Sequence, residues 1–154
     1  MQEIFGSAFE LYGFLSQKSK SRNATKRMLL REIRNNIKRL EHRNRKGVNR
    51  HILIQKLENA SLIAALDQDF SFNKLCPGQK VNPAMLTQFA PAEKYAGWDA
   101  NRLMNSIDEK IVQLKELSEL YSPEGIKAIN LTQRLNNLFA QLLLVSVLIK
   151  QAES

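Results

Sequence analysis

A chain of 154 residues, 44% hydrophobic and 25% charged, has the size and composition of one globular domain; two ordinary domains and wholesale disorder are both excluded. Its formal net charge of +8 comes from 23 Lys and Arg against 15 Asp and Glu. One cysteine, Cys76, rules out an internal disulfide. Gly and Pro are scarce, which favours helices over sandwiches or barrels.

The charge is concentrated. Residues 18–51 hold 13 Lys and Arg against Glu32 and Glu41 alone, whereas the rest of the chain carries slightly more acids than bases. The start, Met1 to Phe5, lacks the basic region and cleavage site of a secretory signal. The longest apolar run, Leu138 to Ile149, is broken by Gln141 and Ser146 and falls short of the ~20 residues of a membrane span. A cytoplasmic protein is the expectation.

Hydrophobic periodicity predicts five helices. The first covers about residues 2–17, with Ile4, Phe5, Ala8, Phe9, Tyr12 and Leu15 on one face. The second covers 24–46: Leu30, Ile33, Ile37 and Leu40 form its seam, Asn23 its N-cap and Gly47 its stop. The third covers 49–66, capped by Asn49 with Val48 and Leu53 as a hydrophobic staple. The fourth covers 100–121 after Asp99, with Trp98 and Leu103 as a hydrophobic staple and Met104, Ile107, Ile111 and Leu114 facing inward. The fifth covers 123–151, opened by Ser122, Pro123 and Glu124. Its apolar stretch 138–149 would serve as a central helix or as a contact between copies. Residues 67–98 read as an ordered insertion, with an extended piece at Phe70–Leu75, a turn at Cys76–Gly78, and one or two helical turns at 82–88 with Phe89 packing down. The expected fold is all-α, a mainly antiparallel four- or five-helix bundle in one domain spanning 1–154.

The second helix carries the strongest functional signal. At 100° per residue from Ile33, the seam lies between about −20° and +60°, while Arg27, Arg31, Arg34, Lys38 and Arg45 lie between about +100° and +160°. Five cations thus form one stripe roughly 27 Å long. Phosphate backbones present charges over such lengths. An acidic protein surface would fit the same stripe. A membrane surface fits less well, because the helix's apolar face is needed inside. No aromatic residue lies between Phe14 and Phe70, so the stripe predicts contact with backbone and not base stacking.

Catalytic patterns are sparse. Two histidines occur, His42 and His51. Arg45 to His51 resembles the R-x(4–6)-H motif of the HEPN ribonucleases, small helical proteins in which that pair sits in an RNA-cleaving site at a dimer interface. The resemblance covers seven residues, and here Gly47 falls between the two. Cys76 has no histidine beside it, and Asp67 and Asp69 read as a helix end, not a metal site. No zinc spacing, glycine-rich phosphate loop or His-Glu-x-x-His motif occurs, so no metal or cofactor is expected. The expected function is a non-catalytic interaction module or small subunit that docks an anionic partner, nucleic-acid backbone first, along the second helix. A protein adaptor and a HEPN-like ribonuclease are the alternatives.

Overall fold

The computed structural model describes residues 8–18, 22–83, 92–122 and 130–153, and every regular element among them is helical. Helix α1 spans Ala8–Lys18 and α2 spans Ala24–Leu40. Two short helices follow, α3 at Arg50–Gln55 and α4 at Ala60–Asp67. The long helices α5, Ala100–Leu120, and α6, Leu131–Ala152, complete the set. Helix α6 lies centrally: α1, α2 and α5 all pack on it, and α3 and α4 close on α5 and α2.

The caps follow the sequence. Asn23, Asn49 and Asp99 each accept a hydrogen bond from the backbone N–H three residues on, at 2.9, 3.1 and 2.9 Å. The Arg102 N–H is also the main reason the Asp99 carboxyl sits below its usual range. The seams of α2 and α5 are buried throughout. In α1 the buried residues are Leu11 and Leu15, and Phe9 points to solvent with 79% of its surface exposed. Of the expected face, Leu15 is buried and Ala8 packs on the core, while Phe9 gives way to Leu11. With Leu15 four residues on and Ala8 three residues back, Leu11 forms the inward face; Ile4 and Phe5 lie outside the described residues.

The second helix stops at Leu40, six residues earlier than expected. Beyond it the backbone tightens to i−3 hydrogen bonds: His42 N–H donates to Arg39 O, Arg43 N–H to Leu40 O, and Arg45 N–H to His42 O. The Arg43 guanidinium takes the Leu40 carbonyl at 2.9 Å and Asn136 Oδ1 at 2.7 Å, and stacks 4.0 Å from the Phe139 ring. Arg50 bonds the Arg43 carbonyl and Thr132 Oγ1. These contacts give the helix-ending carbonyls partners off the helical path and tie residues 41–50 to α6.

The single helix expected over 49–66 is two. Asn36, 1% exposed in the middle of α2, clamps residue 58: its Nδ2 donates to the Glu58 carbonyl at 2.8 Å and its Oδ1 accepts from the Glu58 N–H at 2.8 Å. One turn earlier, the buried Glu32 carboxylate accepts from Ser61 N–H at 2.8 Å and Leu62 N–H at 3.0 Å. Glu32 thus caps α4 from another helix, while Asn59 makes no side-chain cap of its own. Satisfying these backbone groups from α2 is what allows the chain to break between Gln55 and Ala60.

Between α4 and α5 the expected extended piece is a short 3-10 turn, Phe72–Leu75, closed on α5 by Asn101 Oδ1, which accepts from Phe72 N–H at 2.7 Å. Val81 exchanges backbone hydrogen bonds with Trp98 and Gly97 at 2.8 and 2.7 Å. The helical turns expected at 82–88 and the packing of Phe89 lie almost wholly outside the described residues, as does the helix start at 123–124. Helix α6 begins after Asn130, whose φ of +34° no helix continues through.

Residues Ala140–Ile149 of α6 are buried within the single chain. By length and composition Leu131–Ala152 could cross a membrane, a longer stretch than the apolar run alone suggests, yet 67% of its apolar 18-residue window is buried in the fold.

Candidate nucleic-acid interface

Helix α2 has three faces, and each is used differently. The seam packs on α1 and α6. A polar face between about −60° and −160°, formed by Asn36, Glu32, Arg39 and Asn35, holds the α3–α4 loop. Arg39 pairs with Glu58, and Asn35 Nδ2 donates to the same carboxylate at 3.3 Å. The third face carries the basic stripe.

The five predicted stripe residues separate into two groups. Arg27, Arg31, Arg34 and Lys38 stand on the helix, over about 16 Å. Arg45 stands in the exposed turn beyond Leu40, so it is not a continuation of the helical row. Arg31, Lys38 and Arg45 are exposed, and Arg27 and Arg34 half-buried. The ion pairs among the described residues are Lys18–Glu153, Lys26–Glu153 and Arg39–Glu58. Arg31, Arg34, Lys38 and Arg45 belong to none of them. Other cations of the same segment are consumed by the fold: Arg39 by Glu58, Arg43 and Arg50 by the turn and α6.

An aromatic ring does join the stripe, contrary to expectation. Tyr12, from α1, brings its ring within 5.8 Å of the Arg34 guanidinium and 5.6 Å of Lys38 Nζ. Arg34 is further oriented by Asn35 Oδ1, which accepts from its Nε and Nη2 at 3.3 and 3.1 Å. Tyr12, Asn35, Lys38, Arg39 and His42 line an open depression of about 370 Å³. Sequence distance hid this: Tyr12 is 22 residues from Arg34, and only the packing of α1 on α2 brings them together. The periodicity of α1 offered a signal, since a half-buried tyrosine beside a helix seam presents one ring edge to the neighbouring face.

The other candidate residues are dispersed. His51 opens α3 with Nδ1 buried and no hydrogen-bond partner, while Arg45 lies in the turn before it. Cys76 is buried, and burial pushes its thiol up to about 11. At pH 8 the thiolate is scarce and screened from reagents. Native protein is therefore expected to resist alkylation by iodoacetamide over hours, and to react stoichiometrically once unfolded in urea. Mass spectrometry reads both states; rapid native labelling would show that Cys76 is accessible. Asp69 closes α4 in the left-handed region at φ +54°, and no cluster of three metal-ligating side chains occurs among the described residues. Trp98 carries the Arg102 guanidinium 4.2 Å from its ring and packs edge-on against Tyr95 at 4.9 Å.

No protein family, no curated protein and no solved structure matches the chain.

Proposed function

We propose that this chain is a non-catalytic, cytoplasmic interaction module or small subunit, a mainly antiparallel helical bundle with residues 67–98 inserted between its helical hairpins, which docks nucleic-acid backbone on the outer face of α2. One observation carries the reading: Arg31, Arg34, Lys38 and Arg45 have no carboxylate partner among the described residues, while neighbouring cations of the same segment do structural work. A helix row of unneutralised charge costs repulsion at i,i+3 and i,i+4, and a polyanion relieves it. Tyr12 adds a ring that can support a sugar or base beside the phosphate row.

The affinity has a predictable salt dependence. Four phosphates neutralised on a single strand give a slope of log K against log salt of about −2.8, so binding falls about fiftyfold between 50 and 200 mM salt. Fluorescence anisotropy of a labelled single-stranded RNA and a DNA duplex, at those two concentrations, measures it. Absence of binding at 50 mM removes the nucleic-acid reading and leaves an acidic protein as the partner. Shortening of the RNA during the titration, abolished in a folded His51→Ala variant, would instead establish the ribonuclease alternative.

A further inference from the structure

A second concentration of unneutralised charge lies between α5 and α6, away from the α2 stripe. Lys110, Gln113 and Leu114 on α5, Asn130 at the N-cap of α6, and Gln133, Arg134 and Asn137 on α6 line a cleft of about 280 Å³. The spacing is that of two helix faces meeting: 110, 113 and 114 on one, 130, 133, 134 and 137 on the other. Neither Lys110 nor Arg134 is in an ion pair among the described residues. Burial, then the charges of Lys94 and Arg134, hold the Lys110 ammonium below the usual lysine range, against the opposing pull of Glu109. Two cations therefore face one concavity, and none of the described residues that line it is acidic.

The polar rim has spare hydrogen-bonding capacity of both kinds. Asn130 Nδ2 is committed to Gln133 Oε1 at 2.6 Å, which leaves the Gln133 amide NH2 free to donate. The Asn137 Oδ1 is buried with no hydrogen-bond partner, an acceptor that a hydroxyl in the cleft would satisfy. The volume falls just below the about 300–1,000 Å³ that encloses drug-sized ligands. It suits a compact, doubly charged group better than a nucleobase or a peptide.

We propose that this α5–α6 cleft binds a phosphate-sized dianion, as free phosphate or as the phosphoryl group of a small monoester, with Lys110 and Arg134 supplying the charge and the amides of Gln113 and Gln133 the hydrogen bonds. The site is independent of the stripe on α2. The Thr132, Asn136 and Phe139 positions that meet Arg43 and Arg50 lie on α6 about 100° around from Gln133 and Asn137, so the two basic surfaces do not share side chains.

Thermal unfolding of the full chain, followed by circular dichroism at constant ionic strength, tests it with inorganic phosphate and glycerol phosphate as probes. A hundredfold excess over Kd is expected to raise Tm by about 5–10 °C. Lys110→Met with Arg134→Gln should abolish the rise, and Arg134→Gln alone, at an exposed position, should reduce it if the double variant does not fold. Arg31→Glu with Lys38→Glu should leave it intact. A saturating response to inorganic phosphate alone identifies the free ion, and a tighter response to the monoester identifies a phosphorylated metabolite. Absence of any rise in the native chain, or an equal rise in Arg134→Gln, overturns the proposal.

Discussion

Arg31→Glu combined with Lys38→Glu is expected to reduce single-stranded RNA affinity by at least a hundredfold at 50 mM salt while leaving the melting curve unchanged. Both side chains are exposed on α2 and neither makes an ion pair, so reversing them changes the outer field without touching the core. The neutral pair Arg31→Gln with Lys38→Gln separates charge from shape. Removing two of four phosphate contacts should flatten the salt slope from about −2.8 to about −1.4, and cut the 50-to-200 mM loss from about fiftyfold to about sevenfold. Arg34 is a poorer choice, because it is half-buried and, besides the Tyr12 ring it shares with Lys38, its guanidinium is held by Asn35. Unchanged affinity in the Glu pair would place any RNA contact elsewhere on the molecule.

The second large effect lies inside the protein. Glu32→Ala removes the acceptor for the Ser61 and Leu62 N–H groups at the start of α4, and an N–H left unpaired away from water costs about 1–3 kcal/mol. Burial works the other way: it raises the Glu32 carboxyl above its usual range despite the two N–H donors, so part of the hydrogen-bond gain offsets desolvation. The net loss expected is about 3 kcal/mol, or about 6–12 °C in Tm for a domain of this size. Chemical denaturation by urea gives the same quantity independently, and a change below about 0.5 kcal/mol would mean the cap is not stabilising.

The pH dependence follows from the direction of the shift. A raised carboxyl takes its proton in the folded state before it does in the unfolded chain, so its penalty is fully present at neutral pH. That penalty fades as pH falls through the raised value toward 4.5. The cost of Glu32→Ala should therefore grow as pH falls from neutral through the raised value. Asp99 has the opposite sign. Its lowered carboxyl stabilises the fold above its unfolded value of 3.8, and that contribution is lost as pH falls through the folded value.

What periodicity and capping chemistry could reach was read correctly where local rules decide: the caps Asn23, Asn49 and Asp99, the seams of α2 and α5, and the all-helical class. It failed where a distant side chain overrides a local rule. Residues 49–66 carry an unbroken helical pattern, and Glu32 and Asn36 resemble an ordinary solvated face, yet together they break that pattern by supplying the backbone partners of the break. Asn59, a capping residue in mid-pattern, was the one local sign. The early end of α2 has the same origin, since Arg43 takes the Leu40 carbonyl only because Asn136 and Phe139 hold it. For the candidate site, helical geometry located the stripe, but which cations remain unneutralised and which ring lies beside them depended on contacts across 19 to 93 residues.

The attachment of residues 41–50 to α6 bears on the order of synthesis. Arg43 and Arg50 find Asn136, Thr132 and Phe139 across more than 80 positions of chain, and α6 leaves the ribosome after every other helix described. Until it docks, α2 and its turn emerge with two further guanidiniums uncommitted. The nascent chain thus presents two more guanidiniums able to contact phosphate than the finished protein does, and it is made beside ribosomal RNA. Docking of α6 then engages the N–H donors of both guanidiniums in one step, so maturation itself removes two phosphate-contacting groups and leaves the stripe as the residual contact surface.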